Sequence, residues 1–268
     1  MTTDRSYAIL KSRALIALGG EDWRDFLQGL ITQDVETLQD SEARFGALLT
    51  PQGRLLFDLF VVGRPDGAWL DVGAEYRAAL ILRLTLYRLR AKVTIAADET
   101  PVAVLFGGDG APEGWIADPR LEALGWRGYG VSAPSDTTPV DEAAYDAHRL
   151  ALGVPGPADW GSEKTYPIEA NFDLLNGIDF HKGCFVGQET TSRMKRRGQI
   201  KNRMLPITFD GAPPAFDAEV LLGDRRAGEV LSGQEGRAMA LVRLDRIDGE
   251  LTVDGKTVAV DRPSWLPL

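Results

Sequence analysis

Cys184 is the only cysteine of the 268-residue chain, and it stands in the run Phe180-His181-Lys182-Gly183-Cys184-Phe185-Val186-Gly187-Gln188-Glu189. A thiolate is favoured beside a lysine or a protonated histidine, so His181 and Lys182 point to a reactive thiol. Gly183 and Gly187 suit a tight loop that another molecule can approach closely. Phe180, Phe185 and Val186 argue the other way, because they would bury the loop and leave Cys184 a small hydrophobe. Both readings stand on local chemistry. A basic run follows: Arg193, Lys195, Arg196, Arg197, Lys201 and Arg203, with no acidic residue from Thr190 to Phe209, in a chain of net charge -9. Such a run is either a solvated face or a contact for an anion.

The eight residues Lys182 to Glu189 resemble the K-G-C-[YF]-x-G-Q-E signature of the YgfZ family. These are folate-binding proteins related to the glycine cleavage T-protein, an aminomethyltransferase, and implicated in assembly or repair of iron–sulfur enzymes, tRNA-modifying ones included. Further stretches follow in family order. Phe26 to Val35 is similar to F-L-Q-G-x-x-T-x-D-V, Thr50-Pro51-Gln52-Gly53-Arg54 with Asp58 to the hairpin pattern, and Arg149-Leu150-Ala151-Leu152-Gly153 to R-L-x-x-G. Pro167 to Asn171 resembles P-x-E-x-N, and Gly177 to Phe180 resembles G-I-x-F.

The resemblance implies tetrahydrofolate or a derivative as ligand, with Arg149 on its carboxylate, a contact that suits a guanidinium. Glu169 either bonds the amino-pyrimidinone edge or caps a turn. The T-protein relatives carry two adjacent aspartates where this chain has Phe57 and Asp58. Asp58 is therefore a candidate for the ligand site, with a solvent-facing strand residue as the plain alternative. Gly128-Tyr129-Gly130 is a fragment of the T-protein's G-Y-T-G-E-D-G segment. Two expected carboxylates are missing, which disfavours aminomethyl transfer and leaves folate binding open; a folate-dependent one-carbon transferase is the alternative. Cys184 is then the functional thiol, in a motif loop of Lys182, Gly183, Gly187, Gln188 and Glu189. Iron–sulfur enzymes are the expected partners, and Arg193, Lys195, Arg196 and Arg197 offer a weak tRNA contact.

These residues need elements to hold them. Ser12 to Leu18 alternates as a strand, and Asp22 is placed to cap a helix with Trp23, Phe26, Leu27 and Leu30 on one face. Phe45 to Thr50 and Leu55 to Val62 read as strands joined at Pro51-Gln52-Gly53, and Trp69 to Val72 as another. Ala79 to Ala91 reads as an amphipathic helix. Lys92 to Ala96 and Val102 to Phe106 are strands, while Gly107 to Pro112 and Ser132 to Pro139 read as loops or linkers. Asp141 caps a helix carrying His148, a helix-face residue, and Arg149; Gly153 and Pro155 end it. Five short strands from Met204 to Val260, with turns at Gly223-Asp224 and Asp254-Gly255, predict a small antiparallel barrel.

The irregular mixture of strands and helices predicts an α+β fold. Together with the resemblance it gives a T-protein-like, three-part architecture: residues 1–110 for folate, 111–202 with the thiol loop, and 203–268 as the barrel. A hydrophobic content of 44% and a charged content of 26% describe an ordinary globular chain. One cysteine excludes an intrachain disulfide. With Cys184, His148 and His181 as its only soft or imidazole ligands, a single chain is not expected to hold a stable metal cluster. No apolar run approaches a membrane span and Met1 to Arg5 opens no signal sequence, so no membrane contact and a bacterial-type cytoplasmic location are expected.

Overall fold

Strands form where apolar residues alternate or run together, and helices where they recur every three to four positions. The computed structural model describes residues 5–161, 163–198 and 200–267. Met1 to Asp4, on which the absence of a targeting segment is partly read, lie outside the described residues. In chain order come β1 (Arg5–Ile9), β2 (Arg13–Gly19), α1 (Trp23–Gln28), β3 (Ala43–Leu49), β4 (Leu55–Arg64), β5 (Gly67–Gly73), α2 (Arg77–Arg88), β6 (Thr94–Asp98) and β7 (Val102–Phe106). Then follow β8 (Ile116–Ala117), β9 (Trp126–Tyr129), β10 (Thr137–Pro139), α3 (Glu142–Ala151) and α4 (Gln188–Arg197). The last part holds β11 (Asn202–Thr208), β12 (Glu219–Leu222), β13 (Arg225–Gln234), β14 (Arg237–Arg243), β15 (Leu251–Val253) and β16 (Lys256–Val260).

The first sheet has the order β3-β4-β5-β2-β6. One face carries α1 and α2, where Trp23, Leu27, Leu80 and Leu84 pack on Phe57, Leu59 and Val61. The opposite face packs Phe45 and Phe60 against Trp160, Phe172 and Phe185, and onward to Met204 and Met239 of the barrel. A strand covered on both faces reads as a continuous apolar run, and β4 is one, with Asp58 its only charge before Arg64. Asp58 is buried here, so the solvent-facing alternative does not hold.

The second sheet, β10-β1-β7-β9-β8, corrects two expectations. The Ser132 to Pro139 stretch is loop only in its first part: Thr137 to Pro139 form β10, which pairs parallel to β1. Strands on both sides of residue 110 share this sheet, through β1–β7 and β7–β9 pairing, so a boundary there cuts through it. The six C-terminal strands close into a barrel, β11-β14-β13-β12-β15-β16. Leu251 to Val260 is two strands, because Asp254 and Gly255 take φ values of 50° and 75° and reverse the chain. Asp141 caps α3 by accepting from Ala144 N–H at 3.0 Å. Asp22 does not cap α1; its carboxylate accepts from Lys92 N–H at 2.7 Å and ties the end of α2 to α1.

Candidate functional site: a charged cavity and a thiol loop

A cavity of about 400 Å³ opens where β2, β4, β9 and α3 converge. Leu10, Phe60, Tyr145 and Pro157 give it apolar walls, and Arg13, Asp58, Arg120, Arg127 and Arg149 give it charge. Sheet geometry puts Asp58 there: Phe57 turns to the opposite face against Tyr76, so position 58 turns inward. Phe57, at the family's first aspartate position, thus stands on the other side of β4.

The charges form one buried network. Arg13 bonds Asp58 and Asp71, both at 2.7 Å. Asp71 also accepts from Arg127 at 2.5 Å and from the Tyr129 hydroxyl at 3.1 Å. Asp118 accepts from Arg120 at 2.8 Å and faces Arg127 at 3.4 Å. Burial pushes the Asp71 carboxyl up, but Arg127 and Arg13 outweigh it and hold it below the usual carboxylate range. Asp118 behaves likewise, with Arg120 as the main counterweight. Burial raises the Tyr129 phenol far above its ordinary value.

Arg149 also lines the cavity, but most of its donors are taken. Its guanidinium bonds Asp146 at 2.6 Å, Asp159 at 3.1 Å and the Val154 carbonyl at 2.7 Å. Asp159 is buried and held by Gly156 N–H at 2.7 Å, whereas the Asp146 side chain is 45% exposed. Asp146 is therefore the partner a ligand carboxylate would have to replace.

The thiol loop is a separate region. Cys184 is exposed. Phe185 beside it is buried against the first sheet, so the two readings of the loop divide between neighbours: the aromatic anchors and the thiol stands out. Lys182 does not serve the thiol as a free cation. Its ammonium donates to the carbonyls of Gln28, Ile31 and Gln33 at 2.8, 2.8 and 2.7 Å, clamping the loop to the end of α1. Burial pulls its pKa down to about 8, against the opposing pull of Asp34 and Asp179. Gly187 has φ +80°, and a Cβ there would meet the Thr50 carbonyl at 2.6 Å; Gly183 faces open space. Gly187 is thus required by the fold, and Gly183 is not required by packing.

Glu169 is not among the residues lining the cavity. Its carboxylate accepts from Tyr166 N–H at 3.1 Å and from the Asn202 amide at 3.3 Å, the turn-capping alternative. The basic run is less charged than it reads. Arg193 pairs with Glu189 at 2.7 Å, and Lys195 lies 3.7 Å from Asp173 and over the Phe180 ring. Arg203 is buried on Asp173 at 2.9 Å, and the side chain of Arg197 lies outside the described residues. His148 stacks on Phe106 with ring centroids 4.9 Å apart, as a helix-face residue does. Among the described residues no three His, Cys, Asp or Glu side chains gather to hold a metal ion. Sequence reasoning missed Arg13, Asp71, Asp118, Arg120 and Arg127. The signal was a charge set inside an apolar strand, as in Trp69-Leu70-Asp71-Val72.

The fold defines the class of protein first. It superposes on the glycine cleavage aminomethyltransferase T of Bartonella henselae with a TM-score of 0.78 over 99% of this chain and 87% of that one, at 17% identity. The likeness establishes a T-protein-like fold. Residues 201–268 match the CAF17 C-terminal β-barrel domain. Over 96% of its length the chain is 30% identical to the mitochondrial iron–sulfur cluster assembly factor IBA57 of Mus musculus, covering 84% of it. It is also 33% identical to the mitochondrial IBA57 homolog of Mycosarcoma maydis, over 75% of this chain and 57% of that protein. The chain thus spans little more than half the length of that fungal relative. It belongs to the IBA57 family of iron–sulfur cluster assembly factors; YgfZ, whose motif it carries, is a related family. The cytoplasmic, bacterial-type expectation is corrected by these relatives, which are named as mitochondrial.

Proposed function

We propose that this protein binds a reduced folate in the cavity between β4, β9 and α3. With Cys184 as its working thiol, it supports the assembly or repair of iron–sulfur cluster enzymes, tRNA-modifying ones among them. The observation that carries the ligand reading is the convergence of Asp58 and Arg149, distant in sequence, on one cavity with an aromatic wall. The residues fit a folate in kind. The Asp58 carboxylate, oriented by Arg13, suits the N–H donors of a pterin ring, and Arg149 suits a tail carboxylate. Bound folate supplies a reduced, one-carbon-carrying ring. Cys184 supplies a single exposed sulfur ligand or nucleophile on a different loop, which fits cargo shared with a client protein.

Titration with tetrahydrofolate tests the ligand site. Arg149→Ala weakens binding about tenfold or more, as loss of a charged hydrogen bond does. It also strips Asp159 of its cation, so a second variant is needed. Asp146→Asn frees one edge of Arg149 and is expected to tighten binding several-fold, with little change in melting temperature because Asp146 is half exposed. Equal affinity in all three proteins removes Arg149 from the site.

A further inference from the structure

Helix α2 carries a surface feature that neither the cavity nor the thiol loop uses. Leu80 and Leu84 turn inward and fix the helix flat on the first sheet. The outward face shows Leu82 at 63% exposure, Leu86 at 67% and Leu89, just past the helix end, at 88%. Of the large hydrophobic side chains exposed among the described residues, only Ile9 and Phe216 lie elsewhere. The spacing i, i+4 puts Leu82 and Leu86 in a ridge on one face of α2, and Leu89 stands out three positions on, where the helix ends.

The charge around the ridge has one sign. From Arg77 to Lys92 the chain carries Arg77, Arg83, Arg88, Arg90 and Lys92 and no acidic residue, in a protein of net charge -9. Arg77 pairs with Glu99 and Lys92 with Glu21. Arg88 donates to the Val93 carbonyl. Arg83 and Arg90 have no ion-pair partner among the described residues, and they interleave with the exposed leucines.

Leu89 adds an independent observation. It has φ 47°, a backbone region in which a bulky residue is an outlier. The other non-glycine residues with positive φ among the described residues are Ser, Glu, Asn and Asp. At φ 47° and ψ -107° glycine would end α2 with less strain, yet the position holds the most exposed leucine of the ridge. Strain retained at an exposed apolar side chain points to use of that side chain.

We infer that α2 docks this protein onto an anionic lipid surface, with Leu82, Leu86 and Leu89 entering the headgroup boundary and Arg83 and Arg90 meeting lipid phosphates. The occupant must be both apolar and anionic, and it must accept a convex ridge of protruding side chains rather than fill a groove. A bilayer interface rich in acidic lipid meets all three conditions. Among the described residues no helix is long and apolar enough to cross a membrane, and the proposed contact is a peripheral one. The acidic remainder does not prevent it, since charges beyond about 8 Å are screened at physiological ionic strength.

The test is co-sedimentation of the full chain with vesicles of phosphatidylcholine alone or mixed with phosphatidylglycerol. Binding is expected only with phosphatidylglycerol and is expected to fall as salt rises. The double variant Arg83→Gln/Arg90→Gln weakens it about tenfold or more, given the contribution of each cation near an acidic leaflet. Arg83→Lys/Arg90→Lys retains it, and Leu82→Ser/Leu86→Ser weakens it with the melting temperature held. Leu89→Gly separates docking from folding, because it relieves backbone strain and removes the apolar contact: the melting temperature rises while partitioning falls. No binding to the mixed vesicles, equal binding to both compositions, or binding unchanged in the glutamine and serine variants overturns the inference and leaves the ridge to an acidic protein face.

Discussion

At the scale of single residues, Lys182 and Cys184 stand two positions apart and do opposite things. Lys182 is half-buried, its ammonium clamped on three carbonyls, and Cys184 is exposed. Cys184→Ser is expected to leave the melting temperature nearly unchanged and to abolish rescue of iron–sulfur enzyme activity in cells lacking the protein. A fully active serine variant would return Cys184 to a packing role. Lys182→Met is expected to do the reverse in vitro, costing about 1–3 kcal/mol by leaving the carbonyls without their donor. The pH dependence has a definite sign. Burial lowers the folded pKa of Lys182 to about 8 from the ordinary 10.5, so between those values the unfolded chain holds the proton more tightly. Wild-type stability therefore rises relative to Lys182→Met as pH climbs from 8 to 10.5, and parallel urea midpoints across that window would exclude the burial.

At the scale of elements, the turn before β4 and the start of α4 are built around each other. Gly187 takes φ +80° and sits where any Cβ would press on the Thr50 carbonyl and on Gly53. Gly187→Ala is expected to destabilise by about 1–3 kcal/mol through backbone strain and to shift the Cys184 loop. The alkylation rate of Cys184 in the native protein reads the shift, while Gly183→Ala, in open space, should change neither stability nor rate by much. This difference between two glycines of one motif was not legible in the sequence, because it depends on a neighbour more than 130 positions away. What was legible follows periodicity: the alternation of β2, the stripe of α2 and the Asp141 cap stand where the pattern puts them. What was not legible is long-range pairing. Thr137 to Pro139 carries no strand signature of its own and becomes β10 by joining β1. Asp58 and Arg149 were singled out through motif resemblance and line one cavity, but their partners Arg13 and Asp159 carry no motif and come to light by proximity alone.

At the scale of the whole molecule, Asp71 is the residue on which the two sheets meet. It lies on β5 of the first sheet and binds Arg13 of the same sheet and Arg127 of β9 in the second. Both guanidinium side chains and the carboxylate are largely out of solvent, so each charge depends on the others for solvation. Asp71→Asn keeps the shape and removes the negative charge, leaving Arg13 to Asp58 alone and Arg127 to the more distant Asp118. The expected loss is about 3 kcal/mol or more. The same carboxylates set the acid limit. Because Arg127 and Arg13 hold Asp71 below the ordinary value of 3.8, its contribution is present above that pH and is lost as pH falls through the depressed folded value. Asp118, held down by Arg120, adds in the same direction. Urea unfolding of wild type and Asp71→Asn from pH 7 downward measures both effects. The wild type should lose stability steeply below pH 4, and the variant, already weakened, less steeply, so that the two curves converge in acid. If the gap between them stays constant to the lowest pH at which the wild type folds, the carboxylate is not charged in the native state, and the contact between the sheets rests on packing alone.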